Sequence, residues 1–295
     1  MRLIVIGASG FIGSSIYQVA KLRGIDVVGT STKGSKDLIS YDLLNDEPDK
    51  LKNNLPSSSE EKIFAVVAAG KTNIKFCHEN KKLADKINVD AVKKLLIFFS
   101  EHNVKTLYFS SDYVFDGVKG NYTENSPVNP LGVYGEQKAI MEKFILENLT
   151  DILIYRITKS IDDEYRDKNV FKEFYDDYRA ENVLRCIRGL TFNPTYVIDM
   201  VDCIFLGLQK NLSGLYNVAN PETFSRFELV KKFIGFHDKN FSKIVEQDIG
   251  EFNFSEPRPL NTTLNVGKFV SAVDKKFVSV DEVIKSFWNK IGGGF

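Results

Sequence analysis

The 295-residue sequence predicts an α/β protein built on a doubly wound parallel sheet. Two observations carry this prediction. Up to about residue 158, short β-rich runs alternate with segments of helical periodicity, and a glycine-rich loop follows the first run. Strands that alternate with helices form right-handed βαβ units, which place helices on both faces of one sheet. Ligands of such a fold bind beyond the carboxyl ends of the strands.

The predicted strands are short apolar runs. The first, RLIVIG at 2–7, is almost entirely apolar and ends in glycine, which is typical of a strand buried on both faces. Further strands are predicted at 25–30, 63–69, 105–111 and 151–157.

Helices are predicted between these strands, at 11–24, 79–102 and 130–148. Asn129 and Pro130 favour a helix start there, because asparagine caps helices and proline suits the first helical position. The polar stretch 55–62 predicts a surface loop, and 291–295 predicts a frayed terminus.

Composition narrows the class of protein. The 39 basic and 39 acidic residues give no net charge, so the sequence does not favour nucleic acid or an anionic membrane as a partner. Its apolar runs are too short to span a membrane, and no signal peptide precedes the first strand, so we expect a cytoplasmic protein. Three scattered cysteines and three scattered histidines predict free thiols and no metal site; His78 and Glu79 are interpreted as a helix start.

The loop GASGFIG at 7–13 has the properties of a dinucleotide-binding loop. Gly7 permits a tight turn, Gly10 allows a pyrophosphate to approach the backbone, and Gly13 allows close packing of helix and strand. The free N–H groups and the helix dipole then bind the anion. We therefore predict a Rossmann-type domain with Ser9, Phe11 and Ile12 also at the cofactor; a merely tight turn is the alternative.

The residues after the second strand bear on the choice of cofactor. A site that prefers NAD usually has an acidic residue there, whereas this chain has Thr30, Ser31, Thr32 and Lys33. Hydroxyls and a lysine suit a 2′-phosphate, so NADP is favoured and NADH remains open. Asp42, followed by Leu43, is expected near the adenine; a simple surface turn is the alternative.

Three side chains predict oxidoreductase chemistry. Tyr134 and Lys138 are four residues apart and therefore share one helix face. A nearby ammonium and an oxidised nicotinamide favour the phenolate and are expected to lower the pKa of the tyrosine. Ser111 ends a predicted strand, where its hydroxyl could hold a substrate oxygen against the phenol.

Four segments together resemble the extended short-chain dehydrogenases/reductases, and among them the dTDP-4-dehydrorhamnose reductase (RmlD-like) group. They are GASGFIG, SSDYVFDG, NPLGVYGEQK and RPLNTTL. The resemblance implies Ser111, Tyr134 and Lys138 as the catalytic triad. It also implies cofactor contacts from Ala68, Ala69 and Gly70, with Thr72 and Asn88 as further candidates; helix packing is an equal alternative for Asn88. It divides the chain into a cofactor domain, 1–158 and 190–216, and a smaller substrate-binding domain, 159–189 and 217–295.

The implied activity is NADP(H)-dependent reduction of the 4-keto group of a nucleotide-linked 6-deoxy sugar, with Tyr134 as proton donor. Asp112, Tyr113 and Lys159 are expected to contact the sugar nucleotide; Lys159 stands where the group often has tryptophan. Arg258, between two prolines, is expected on the diphosphate, or alternatively paired with Glu256. An epimerase or dehydratase with retained NAD, and a non-catalytic NADP-binding regulatory subunit, remain alternatives. A homodimer is left open.

Overall fold

The structure is a computed structural model that describes residues 1–55 and 62–292. The loop predicted at 55–62 and the terminus predicted at 291–295 fall largely outside the described residues. The strands are β1 Arg2–Ile6, β2 Asp26–Ser31, β3 Leu38–Ser40, β4 Ile63–Val67, β5 Lys105–Ser111, β6 Ile152–Ile157, β7 Ser160–Ile161, β8 Leu184–Ile187, β9 Thr191–Phe192, β10 Thr195–Tyr196, β11 Gly214–Val218, β12 Phe224–Ser225 and β13 Ile244–Gln247.

The α-helices are α1 Phe11–Leu22, α2 Ile74–Glu79, α3 Lys81–Asp85, α4 Val92–Glu101, α5 Val133–Asn148, α6 Val170–Arg179, α7 Val197–Gln209, α8 Arg226–Gly235, α9 Gly267–Val273 and α10 Val280–Lys290. Short 3₁₀ turns lie at Pro48–Asn54, Asp112–Val114 and Ile249–Glu251, and a π-helical turn lies at Lys86–Ala91.

Seven strands form one parallel sheet in the order β11-β6-β5-β4-β1-β2-β3. The chain therefore runs outward from β1 in both directions, and the strand order reverses between β1 and β4. This is the doubly wound Rossmann-type fold that the sequence predicts. In such sheets the ligand crevice lies at the carboxyl ends of the strands beside this reversal.

Apolar residues of each strand alternate between the two faces of the sheet. In β1, Leu3 and Val5 face a core completed by α1, α7 and α9, whereas Ile4 and Ile6 face a second core completed by α4 and α5. All four are essentially inaccessible to solvent. The prediction that the first strand is buried on both faces is confirmed.

A third, aromatic core lies in the C-terminal half, among helices α6, α8 and α10. Phe171 stacks on Phe233 with ring centroids 5.0 Å apart, and Phe287 meets both rings edge-on. Trp288 is 3% exposed and donates its indole N–H to the Phe233 carbonyl at 2.9 Å. The sole tryptophan of the chain therefore belongs to this core.

The helix predicted at 79–102 is wrong in its start and its continuity. The helical segment begins at Ile74, because the Asn73 side chain accepts from the Phe76 N–H at 2.8 Å. Asn80, with φ −124° and ψ 43°, separates α2 from α3, and the π-helical turn separates α3 from α4. His78 lies near the end of α2, so its interpretation as a helix start is also wrong.

Candidate active site

The glycine loop is packed tightly between β1, α1 and the end of β4. Gly7 has φ +88°, and an added Cβ there would lie 2.8 Å from the Ala69 nitrogen. A Cβ on Gly13 would lie 2.2 Å from the Gly7 carbonyl oxygen. Gly10 is the N-cap residue of α1, and no side chain in the described part of the chain caps that helix. These features fit a dinucleotide, because the uncapped first turn leaves backbone N–H groups for a pyrophosphate.

The side chains at the end of β2 and just after it fall into two groups. Thr30 is buried, and its Oγ1 accepts from the Gly7 N–H at 3.1 Å, so its hydroxyl supports the glycine loop. Thr32 and Lys33 are exposed, and Ser31 is half-buried. Asp42 holds a local turn, since its carboxylate accepts from the Leu44 N–H at 3.0 Å and from the Asn45 side chain at 2.8 Å.

Asn88 braces the segment after β4. Its side chain exchanges two hydrogen bonds of 2.8 Å with the backbone of Lys71 and donates to Gln137 at 2.7 Å. A Cβ on Gly70 would approach the Asn88 oxygen at 3.1 Å. Asn88 lies in the π-helical turn and is 6% exposed. It therefore joins the strand end at 68–70 to the helix that carries Tyr134.

The predicted trio converges at the end of β5. Ser111 is the last residue of this strand, and Tyr134 and Lys138 lie on the first turns of α5. The Lys138 Nζ donates to the Phe109 carbonyl at 2.6 Å and to the Tyr108 hydroxyl at 3.1 Å. It lies 5.7 Å from the centroid of the Tyr134 ring.

Burial governs the protonation of this trio. It raises the pKa of Tyr134 well above its ordinary value; Asp112 adds to the rise, and a side-chain hydrogen bond with Ser111 opposes it. Burial lowers the pKa of Lys138 to about 8, opposed by Glu142. Desolvation is the largest influence on the pKa of Tyr134, and the lowering expected beside an oxidised nicotinamide stays a prediction. The phenol is protonated at neutral pH.

Asp112 is a buried carboxylic acid beside the trio. Its Oδ1 accepts from the Ser111 hydroxyl at 2.9 Å, and its side chain is 5% exposed. Burial raises its pKa to about 6, although hydrogen bonds with Thr262 and Ser111 oppose the rise. The segment that contains Thr262 thus reaches the end of β5 from the C-terminal part of the chain.

Arg258 lies close to the trio through Tyr113. The Tyr113 ring meets the Tyr134 ring edge-on at 6.2 Å, and a side-chain hydrogen bond with Arg258 opposes the burial that raises the pKa of Tyr113. The Arg258 guanidinium covers the Phe254 ring at 4.9 Å, and its buried Nε has no hydrogen-bond partner among the described residues. The alternative pairing with Glu256 is wrong: no such ion pair occurs in the described part of the chain.

Lys159 stands apart from this cluster. Its side chain is exposed, and its backbone carbonyl accepts from Thr195 N–H at 3.1 Å. It follows the end of β6 by two residues, and the last residue of β6, Ile157, is in register with Ser111. Lys159 therefore lies at the same edge of the sheet as the trio, but no contact with the trio fixes its side chain.

Arg166 was missed by sequence reasoning. Its guanidinium covers the Phe11 ring at 4.2 Å, donates to the Ser14 and Ser15 hydroxyls at 3.2 and 2.8 Å, and pairs with Asp162. It therefore braces the first turn of α1 from a segment 150 residues away. No local pattern in DEYRDKN signals this contact, which only the tertiary structure creates.

The described residues form neither a metal-binding cluster nor a membrane-spanning helix. Within 1–55 and 62–292, no three His, Cys, Asp or Glu side chains are grouped so that they could hold a metal ion. Over the same residues no helix is long and apolar enough to cross a membrane. Cys77, Cys186 and Cys203 are free thiols, as predicted, and all three are buried in the structure.

The sequence profile of the family described as "RmlD substrate binding domain" matches residues 1–292 of this chain. This match covers nearly the whole sequence. The chain belongs to the RmlD substrate binding domain family. The resemblance predicted from GASGFIG, SSDYVFDG, NPLGVYGEQK and RPLNTTL is thereby confirmed.

The proteins that are similar in sequence to this RmlD-family chain include two with different names. The dTDP-4-dehydrorhamnose reductase of Aggregatibacter actinomycetemcomitans is 27% identical over 286 residues, covering 92% of each protein. The methionine adenosyltransferase 2 subunit beta of Xenopus laevis is 24% identical over 280 residues, covering 90% of this chain and 81% of that protein.

The fold of this RmlD-family chain also matches solved structures. The dTDP-4-dehydrorhamnose reductase of Bacillus anthracis, in complex with NADP, superposes with a TM-score of 0.85 at 21% identity, covering 98% of this chain and 99% of that one. At this identity the superposition establishes the Rossmann-type fold alone.

Proposed function

We propose that this protein is an NADPH-dependent reductase of the 4-keto group of a nucleotide-linked 6-deoxy sugar. One observation carries the proposal. Ser111, Tyr134 and Lys138 converge at the carboxyl edge of a Rossmann-type sheet, in a chain whose family relatives include dTDP-4-dehydrorhamnose reductases.

In this proposal Tyr134 is the proton donor. Burial keeps its phenol protonated at neutral pH, so a proton is available for the carbonyl oxygen when the 4-keto group is reduced. Ser111 holds that oxygen against the phenol, and Lys138 supplies positive charge that stabilises the phenolate left behind. Bound NADPH supplies the hydride.

The cofactor assignment rests on the glycine loop and on the end of β2. The uncapped start of α1 receives the pyrophosphate, with Ser9, Gly10, Phe11 and Ile12 around it. The exposed Lys33 makes no hydrogen bond or ion pair among the described residues, and residues 30–36 at the end of β2 include no carboxylate, so a 2′-phosphate is favoured. We expect NADPH to bind more tightly than NADH in a titration of both; a clear NADH preference would refute this choice.

The sugar nucleotide is assigned to the carboxyl edge of the sheet, beside the trio. Arg258 is assigned to the diphosphate, because its buried Nε has no hydrogen-bond partner among the described residues and a guanidinium pairs bidentately with phosphate oxygens. Asp112, Tyr113 and Lys159 are assigned to the same site. We retain the division into a cofactor domain, 1–158 and 190–216, and a substrate domain, 159–189 and 217–295.

A non-catalytic NADP-binding subunit is the second candidate. It is favoured by the similarity to methionine adenosyltransferase 2 subunit beta over 90% of this chain. The presence of all three triad residues favours the reductase over this candidate. Elimination, as in a dehydratase, is disfavoured because Tyr113 stands where dehydratases of this superfamily carry a glutamate.

An oxidation assay separates the candidates. NADPH absorbance is followed with a panel of 4-keto-6-deoxy sugar nucleotides that differ in base and sugar configuration. A reductase consumes NADPH with at least one substrate. An epimerase retains a copurified cofactor without net turnover, and a binding subunit binds NADPH without turnover; either result would refute the proposal.

A further inference from the structure

A carboxylate from the C-terminal part of the chain lies at the amino end of α5. Glu256 Oε2 accepts from the Val133 N–H at 3.1 Å and contacts His78 Nδ1 at 3.2 Å. Glu256 is 8% exposed. The N-cap residue of α5 is Gly132, which has no side chain that could cap the helix. A negative charge is favourable here, because the first N–H groups of a helix lack partners and the helix dipole is positive at this end.

The space at Gly132 is taken by this carboxylate. A Cβ at Gly132 would lie 2.3 Å from Glu256 Oε1, although the backbone at Gly132, with φ −146°, is open to any residue. The glycine is therefore required for packing against Glu256 and not for its own conformation. The contact also accounts for the start of α5 at Val133, three residues after the predicted Pro130.

The same segment carries Arg258, two residues further along. Its guanidinium forms a side-chain hydrogen bond with Tyr113, and the Tyr113 ring contacts the Tyr134 ring edge-on. The segment 254–258 is thus attached to the catalytic helix at two points. Glu256 binds the residue immediately before Tyr134, and Arg258 reaches Tyr134 through Tyr113.

We propose that Glu256 is a positioning residue: it fixes the segment that carries Arg258 to the start of α5, so that a diphosphate held by Arg258 presents its sugar to Tyr134. The inference rests on the proposed reductase function. Displacement of a bound substrate by about 1 Å costs up to about 100-fold in rate. Loss of the Glu256 contact should therefore affect the sugar nucleotide and leave the cofactor, which binds to a different loop, unaffected.

Two variants disturb the contact in different ways. Glu256→Ala removes the carboxylate, and Gly132→Ala displaces it while leaving its charge. For both we expect kcat/KM for the sugar nucleotide to fall by about 10- to 100-fold, with a raised KM for the sugar nucleotide and an unchanged NADPH Kd. Glu256→Gln keeps an oxygen that accepts from the Val133 N–H, so it should recover most of the activity.

Glu228→Ala is the matched control. The Glu228 carboxylate accepts from the Ser225 N–H at 2.8 Å at the start of α8, far along the chain from the trio. Its loss should lower the melting temperature and leave kcat/KM unchanged. If Glu256→Ala and Gly132→Ala behave like this control, Glu256 is only a structural cap and the inference is overturned while the reductase proposal stands. Absence of turnover by the wild-type protein overturns both.

Discussion

Three buried titratable side chains surround the end of β5, and burial favours the neutral form of each. It keeps Tyr134 neutral, it favours the neutral form of Lys138, and it raises the pKa of Asp112 to about 6. At pH 7 Asp112 therefore carries a charge in a desolvated position. Such a position is costly for stability and is typical of functional sites.

Asp112→Asn should stabilise the protein in a pH-dependent way. Because the pKa of Asp112 is raised from about 4 to about 6 on folding, the folded state retains a proton that the unfolded chain loses between these pH values. The contribution of Asp112 to the free energy of unfolding therefore falls as pH rises from about 4 to about 6, by about 3 kcal/mol for a shift of about two pKa units. Asp112→Asn has no carboxyl group at this position, so its free energy of unfolding should not include this decrease.

Thermal melts of both proteins at pH 4.5 and 7.5 provide the check. The melting temperature of Asp112→Asn should exceed that of the wild type by more at the higher pH. An equal difference at the two pH values would show that burial does not hold the proton on Asp112.

Sequence spacing identified the residues whose signals are local. Tyr134 and Lys138 share a helix face, and Ser111 ends an apolar run, so their convergence follows from fold and periodicity. Glu256 and Arg166 have no such signal, because each acts on a residue more than 100 positions away. The desolvation that raises the pKa of Tyr134 has no local signal either, because it depends on the surrounding tertiary structure.

At the scale of elements, strand positions were predicted better than helix boundaries. Each predicted strand lies within about two residues of an observed one, since buried parallel strands are continuous apolar runs. The predicted helix starts were wrong where the helix is capped by a different residue from the expected one, either nearby in the sequence or far from it. Asn129, the predicted cap of α5, donates instead to Asp116 at 3.1 Å.

The contact between α1 and the glycine loop yields an element-scale prediction. Gly13→Ala places a methyl group 2.2 Å from the Gly7 carbonyl oxygen, so helix and loop must separate. We expect a loss of about 1–3 kcal/mol in the free energy of unfolding and a marked loss of NADPH affinity. Denaturant titration measures the free energy of unfolding, and titration calorimetry measures the NADPH affinity.

Gly250→Ala is the control for this substitution. A Cβ at Gly250 meets no atom within 4 Å, so this variant should keep wild-type stability and cofactor affinity. Normal NADPH binding by Gly13→Ala would mean that the cofactor does not depend on the geometry of this loop.

At the scale of the whole molecule, an ionic network joins the cofactor helix to the last helix. Arg166 binds Ser15 on α1 and pairs with Asp162, and the neighbouring Asp163 pairs with Lys290 of α10 at 2.9 Å. The Asp162 and Asp163 side chains are nearly buried. Two adjacent carboxylates therefore connect α1, which packs on the sheet, to α10, which belongs to the aromatic core.

Arg166→Met should destabilise the protein strongly. It leaves the buried Asp162 carboxylate without its cation, which costs about 3 kcal/mol or more in the free energy of unfolding. Lys232→Met, which breaks an exposed pair with Asp281, should cost no more than about 1 kcal/mol. Urea unfolding of both variants compares them; equal effects would show that the network contributes no more than a surface ion pair.

Transfer of deuterium from NADPH to a sugar is the decisive test of the proposed reduction. NADPH in which both hydrogens at C4 of the nicotinamide are replaced by deuterium is incubated with the protein and the 4-keto sugar nucleotide that is reduced fastest. We expect a product with one added deuterium, formed about 10²- to 10⁴-fold more slowly by Tyr134→Phe, whose melting temperature is unchanged. A sugar that acquires no deuterium although NADPH binds would refute hydride transfer, and a Tyr134→Phe variant that transfers it at the wild-type rate would refute Tyr134 as the proton donor.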